Sequence, residues 1–111
     1  MSNLDDLQQR AMDIRRKYDE LNGQHGHKAW GSKDYAMGLV GDIGKLMKIV
    51  MAKEGMRDLK GESSIEAALQ HELGDCLWSL LVIAEHYGID LEDAFMATMH
   101  ELDARIAGGR E

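Results

Sequence analysis

Apolar residues recur at spacings of three and four over four stretches of this chain, the spacing that places side chains on one face of an α-helix. The first stretch predicts a helix from about Asn3 to Leu21, with Ser2 or Asn3 as its cap and Asn22-Gly23 as its end. Its apolar positions are Leu4, Leu7, Ala11, Ile14, Tyr18 and Leu21. The chain contains no proline, so no residue interrupts a helix through a missing backbone N–H.

The second predicted helix is capped by Ser32 and runs to about Lys53. Two adjacent apolar stripes cover so much of it that we expect little of its surface to face water. Three glycines fall inside it at intervals of three: Gly38, Gly41 and Gly44. Each costs about 1 kcal/mol relative to alanine in a helix, so we expect another backbone or a ligand to approach closely there, or the helix to kink.

A capping box formed by Ser63 and Glu66 opens the third predicted helix, which covers residues 64–87. Asp90 caps the fourth, which continues until the glycines at 108–109. The pattern therefore predicts an all-α fold, a four-helix bundle in one domain, residues 1–111, with the second and third helices at its centre. Since a domain of this size leaves roughly a third of its unfolded surface exposed, we expect oligomerisation to complete the bundle.

The net charge, the cysteine content and the length of the apolar runs limit which classes of function the chain can have. The net charge is −7 without a run of basic residues, which argues against binding to a nucleic acid polymer. The single cysteine, Cys76, suits a reducing compartment and a place in the core. Asp5 and Asp6 stand where a signal peptide would be basic, and no stretch approaches the roughly 18 apolar residues of a membrane span. We expect a cytoplasmic protein without a membrane partner.

Two helical turns combine charge with apolar surroundings. Asp42 and Lys45 are three residues apart on the second helix, as are Glu72 and Asp75 on the third, and each pair shares a helix face. Helical projection places Asp42 and Glu72 on apolar faces, where an unpartnered carboxylate is unfavourable. If the two helices pack antiparallel, Asp42, Glu72 and Asp75 can converge and hold Mg²⁺ or Mn²⁺, an arrangement suited to phosphoanhydride hydrolysis. These turns would instead be solvated surface if the predicted helix phases were wrong.

The loop before the second helix concentrates residues capable of recognition. His25 and His27 form a His-x-His pair that either lies on the surface or binds a metal, although no second pair at zinc spacing accompanies it. Lys28 is basic, and the ring of Trp30 can either close the core or stack on a flat ligand.

Residues 30–106 resemble the MazG-like all-α nucleoside triphosphate pyrophosphohydrolases. The resemblance rests on the turn around Asp42, on Glu72-Leu73-Gly74-Asp75 followed by Cys76-Leu77-Trp78, and on residues 87–94. It implies a helical bundle that forms dimers or tetramers. It also implies an E-x-x-E turn and an E-x-x-D turn that bind Mg²⁺ and cleave a nucleoside triphosphate to the monophosphate and pyrophosphate. Glu72 and Asp75 match the second turn fully.

The first turn departs from the family pattern, because Asp42 replaces the first glutamate and Lys45 the second. Lys45 could take the place of the cation by pairing with the carboxylates, which would make the protein a non-catalytic helical binding module. Alternatively, Lys45 could turn outward or contact the triphosphate, and the three carboxylates would then serve as metal ligands and catalytic residues.

The resemblance also implies a substrate-binding set near the start of the second helix. Trp30 would stack on the base, and its basic neighbours would lie towards the nucleotide. The expected substrate-binding residues are His27, Lys28 and Trp30, together with Lys45 and Lys48 farther along the helix, where Lys48 either contacts phosphate or is an ordinary solvated lysine.

Overall fold

The computed structural model describes residues 3–58 and 64–109. These ranges contain four helices and no strand, which confirms the predicted all-α fold. The helices are α1 (Leu4–Gln24), α2 (Ser32–Lys53), α3 (Ile65–His86) and α4 (Leu91–Ala107). Within the described part of the chain, no helix combines the length and apolarity needed to cross a membrane.

The helix starts follow the predicted caps with two corrections. Asn3 caps α1 and Asp90 caps α4, each accepting a backbone N–H at 3.0 Å. The cap residue of α2 is Gly31 rather than Ser32, because the Asp34 carboxylate accepts the Gly31 N–H at 2.9 Å. Ser64 caps α3.

Two predicted caps, Ser2 and Ser63, lie outside the described residues. At its other end, α1 continues one turn past Leu21, so the predicted stop at Asn22-Gly23 was wrong. The N–H of His25 reaches the Leu21 carbonyl at 3.2 Å and closes that last turn.

Helices α2 and α3 form an antiparallel pair. Ser32 at the start of α2 hydrogen-bonds the Tyr87 hydroxyl beyond the end of α3 at 3.2 Å. At the opposite end, Lys53 forms an ion pair with Glu66. The core lies mainly between these helices and contains Tyr35, Ile49, Ala52, Ala68, Cys76, Leu81, Val82 and Ala84. The predicted core position of Cys76 is confirmed.

Helix α1 packs against α3 through two hydrogen bonds to helix carbonyls. The Trp78 Nε1–H donates to the Ala11 carbonyl at 3.0 Å, and the Gln8 amide donates to the Leu81 carbonyl at 2.8 Å. Ala11 is the one residue of α1 that is fully buried. Because the contacts are few but directional, they define where α1 lies on α3.

A broad apolar surface remains exposed. In α2, Val40 is 72 % exposed, and Met37 and Met47 are also mostly exposed, so the expectation that little of α2 faces water was wrong for the single chain. The reason is that α4 does not cover α2, and α4 itself has no buried residue.

Between α3 and α4 lies a groove of about 470 Å³. Leucine, phenylalanine and methionine side chains predominate in its lining, which comprises Leu4, Leu77, Leu80, Leu91, Glu92, Ala94, Phe95, Thr98 and Met99.

Candidate functional site

The deepest charged group in the described chain is the carboxylate of Glu72. The residue is 4 % exposed, and its Oε2 atom is inaccessible to solvent without a hydrogen-bond partner among the described residues. Buried polar atoms are almost always paired, since an unpaired one loses its hydration without compensation. Glu72 therefore lies on the inner face of α3, as the helical projection predicted, and its free oxygen is suited to a cation.

Glu72 belongs to a compact group of potential metal ligands. One ligand atom from each of His71, Glu72 and Asp75 lies within 4.8 Å of the others. Within residues 3–58 and 64–109, no other group of three or more such side chains is as close. His71 Nε2 is 3.5 Å from Asp75 Oδ2. His71 was not among the predicted ligands, although its spacing of four residues from Asp75 places both on one helix face.

Asp42 is outside this group but close to it. The pKa of the Cys76 thiol is raised by burial and, in addition, by the negative charges of Asp42, Glu72 and Asp75. Carboxylates from both helices, Asp42 on α2 and Glu72 and Asp75 on α3, are thus near enough to this buried thiol to affect its pKa. Asp42 and Asp75 also line the same cavity, so the structure brings Asp42 near Asp75 but not into the close group of His71, Glu72 and Asp75.

The cavity that Asp42 and Asp75 share has a volume of about 430 Å³, within the range of small-ligand sites. Its walls are largely aromatic, with two polar uncharged side chains. The lining residues are Tyr18, Asn22, Trp30, Tyr35, Gly38, Asp42, Asp75, Trp78 and Ser79.

Trp30 contacts the core and remains partly exposed. Its ring meets the buried Tyr35 edge-on at 5.3 Å, and Trp78 meets Tyr35 similarly from the other helix. Trp30 is nevertheless 47 % exposed and lines the cavity. One part of the indole therefore closes the core while another part is available to a ligand. Burial also raises the pKa of Tyr35.

The three glycines of α2 differ in what lies next to them. A Cβ at Gly38 would lie 3.4 Å from the Trp30 ring, whereas one at Gly41 or Gly44 would meet nothing within 4 Å of it in the described structure. A Cβ at Gly38 would thus make an ordinary van der Waals contact with the indole, and the expected close approach of another backbone is not found at any of the three glycines within the described residues. The alternative of a broken helix is not observed, since α2 is continuous.

Lys45 and Lys48 line a second cavity of about 400 Å³. Both lysines are exposed, and the cavity also includes His71 and Glu72. Among the described residues, no carboxylate lies within 4.0 Å of the Lys45 ammonium. Lys45 therefore lies in the same cavity as Glu72 without forming an ion pair with it.

His27 and Lys28 lie on an exposed loop and line neither cavity. The His25 and His27 rings are 6.1 Å apart, and they do not belong to the metal-ligand group found in the described chain. The surface alternative fits this pair.

Sequence reasoning missed the contribution of α1. The Arg15 guanidinium donates to the Trp30 carbonyl at 3.2 Å and stacks 5.3 Å from the Tyr35 ring centre. Tyr18 and Asn22 line the aromatic cavity. The spacing of residues 11, 15, 18 and 22 in the sequence already places them on a single face of the helix.

A family model, the MazG nucleotide pyrophosphohydrolase domain, matches residues 39–107 of the chain. This range is more than half of the 111 residues. It includes the acidic residues Asp42, Glu72 and Asp75, and it begins after Trp30 and Tyr35. No curated protein matches the chain.

Proposed function

The chain belongs to the MazG nucleotide pyrophosphohydrolase family, and from this membership we propose that it is a Mg²⁺-dependent enzyme cleaving a nucleoside triphosphate to the monophosphate and pyrophosphate. The observation that carries the proposal is the buried, unpartnered Glu72 Oε2 beside Asp75. Such an arrangement is unfavourable in a purely structural helix pair, because each buried charge without a partner destabilises the fold. It is favourable when a cation binds there.

The donor set fits a hard divalent ion. Carboxylate oxygens from Asp42, Glu72 and Asp75 suit Mg²⁺ or Mn²⁺, and these three residues would hold it. When bound, the ion would screen phosphate charge and lower the pKa of a water molecule. His71 is suited to orienting the Asp75 carboxylate, since an imidazole next to a ligating carboxylate restricts its rotation.

Different residues of the chain would contact the phosphates and the base of the nucleotide. Lys45 and Lys48 supply two ammonium groups in the cavity that contains Glu72, where they can contact phosphate oxygens. Trp30 offers its half-exposed ring to the base. His27 and Lys28 would contact the substrate only if their loop moved towards the cavity.

We also propose that the active form is a homodimer or a tetramer. Monomeric proteins rarely expose apolar surface as extended as that of α2, α3 and α4. The groove that contains Leu77 and Phe95 is lined almost entirely by apolar side chains. A second copy with the same surface would remove it from water.

The test is pyrophosphate release from a panel of canonical and modified nucleoside triphosphates with Mg²⁺ or Mn²⁺. Glu72→Gln should lower kcat/KM by more than about 100-fold, because the amide is a much weaker ligand than the carboxylate. Glu66→Gln is the matched control, since this exposed residue of the same helix lies outside both cavities, and it should retain activity. Removing Mg²⁺ with a chelator should abolish release.

Two results would contradict the proposal. Absence of pyrophosphate release across the whole panel would favour a helical binding module that keeps the fold without the activity. Equal activity of the Glu72→Gln and wild-type proteins would exclude Glu72 as a metal ligand.

A further inference from the structure

The aromatic cavity is built from two parts of the chain. Five of its nine lining residues precede residue 39, where the family match begins: Tyr18, Asn22, Trp30, Tyr35 and Gly38. Both carboxylates of the cavity, Asp42 and Asp75, lie inside the match. The acidic groups therefore come from the family-matched helices, whereas most of the remaining surface comes from the N-terminal part of the chain.

Helix α1 is held against this cavity at defined points. The Trp78 indole N–H donates to the Ala11 carbonyl at 3.0 Å. Arg15 donates to the Trp30 carbonyl at 3.2 Å, with its guanidinium over the Tyr35 ring. These contacts link α1 to α3 and to the start of α2 at once. The end of α1 that contributes to the cavity is consequently positioned by the same residues that form the cavity wall.

Asn22 has the side chain best suited to recognition among those that line the cavity. Its carboxamide combines a donor and an acceptor at fixed positions, whereas a carboxylate only accepts and a hydroxyl group rotates. The residue is half-buried, and its carboxamide makes no hydrogen bond with another described residue. Its backbone carbonyl accepts the His27 N–H at 2.7 Å, which holds the end of α1 in place.

We propose that Asn22 determines specificity by hydrogen-bonding the edge of the nucleobase, an inference that rests on the proposed function. Each of the five canonical bases presents a donor next to an acceptor, but in one of two opposite orders: adenine and cytosine have an amino group beside an accepting ring nitrogen, whereas guanine, uracil and thymine have a carbonyl beside a ring N–H. A carboxamide in one orientation matches only one of these orders, so the preferred substrates carry bases of one of these two classes. The aromatic walls supply contact with the base faces, which every base has in common, so they cannot discriminate between bases. A carboxamide can discriminate, because a base with the wrong edge leaves it unpaired in a partly desolvated site.

The experiment compares kcat/KM for ATP, GTP, CTP, UTP and TTP in the full-length wild-type, Asn22→Leu and Asn22→Asp proteins. Gln24→Leu is the matched control, because it also removes a carboxamide near the end of α1 but from an exposed residue outside the cavity. A second readout is the binding of the five nucleoside monophosphates in metal-free buffer. It is followed by quenching of the fluorescence of Trp30 and Trp78, which both line the cavity.

We expect the wild-type protein to prefer its best base over its worst by more than about tenfold. Asn22→Leu should reduce this ratio at least about tenfold, with little change for the worst substrate, since only a matched edge gains from the amide. Asn22→Asp should shift preference towards guanine, because an acceptor-only side chain matches the two adjacent N–H donors of that base. Gln24→Leu should leave the order of preference unchanged.

The outcomes separate this inference from the proposed function. If the wild-type protein hydrolyses nucleotides but Asn22→Leu and Asn22→Asp retain its preference within twofold, the inference is overturned and the function stands. A wild-type protein with no base preference overturns it equally. If no triphosphate is hydrolysed, the proposed function fails. The inference is then supported if the order of monophosphate binding changes in the Asn22 variants, and overturned if it does not change or if no monophosphate binds.

Discussion

The α2–α3 pair presents two different surfaces. Where α1 covers it, the packing is directional, with the Trp78 indole bonded to the Ala11 carbonyl and the Gln8 amide bonded to the Leu81 carbonyl. Where α1 does not reach, leucine side chains such as Leu73 on α3 remain about half exposed.

The proposed catalytic site and the proposed oligomer interface therefore lie on different surfaces. The cavity that contains the carboxylates Asp42 and Asp75 lies where α1 packs. The apolar groove, in contrast, is lined mainly by Leu77, Leu80 and residues of α4, and Leu4 is the one lining residue that α1 contributes. A single chain therefore encloses a candidate site on its covered surface but leaves the other surface suited to a second copy.

The largest expected effect concerns the surface that α1 leaves uncovered, which contains the apolar groove and is called the bare surface below. Leu77→Glu should raise the dissociation constant of the oligomer by at least about 100-fold, because an unpaired carboxylate is strongly unfavourable in an apolar interface. The mass measured by light scattering should then approach that of one chain. Leu77 is 38 % exposed in the single chain, so helical content measured by circular dichroism should change little.

Gln9→Glu adds the same charge to an exposed residue of α1 and is the control for this substitution. It should not change the oligomeric state. A wild-type protein that is monomeric at all concentrations would show that the bare surface does not bind a second copy.

An intermediate effect concerns the centre of the α2–α3 pair. Cys76 is buried, and its raised pKa disfavours the reactive thiolate. In metal-free buffer at pH 8, iodoacetamide should therefore modify Cys76 at least about tenfold more slowly in the native protein than in urea. Mass spectrometry of samples taken over time measures both rates. Similar rates would mean that the helix pair opens readily around the thiol.

The smallest effect concerns the covered surface. Trp78→Phe removes the hydrogen bond to Ala11 and part of the packing, and it should lower the free energy of unfolding by about 1–2 kcal/mol. Trp30→Phe is the matched variant, because Trp30 is half exposed and its indole N–H has no partner among the described residues. It should cost less than about 0.5 kcal/mol.

Urea unfolding followed by circular dichroism measures both changes. Equal losses for the two variants would indicate that the Trp78 hydrogen bond does not determine how α1 is held.

The sequence by itself determined the helices and the faces on which their charged residues lie. Apolar spacing and capping residues such as Asn3 and Asp90 are local signals, because a helix repeats every 3.6 residues and its cap lies within one turn. The same periodicity placed Glu72 on a buried face. The helix ends were predicted less well: α1 continues three residues past its predicted end at Leu21, because a Gly-containing segment can continue a helix at modest cost.

Only the tertiary structure decided which of these faces meet. It placed His71 rather than Asp42 in the close group with Glu72 and Asp75, left Lys45 without an ion pair in the described chain, and brought α1 to the cavity. It also showed that α4 leaves an apolar surface of α2 and α3 uncovered. Distances between side chains on different helices depend on how the helices pack, and that packing is a property of all the faces together rather than of any one segment.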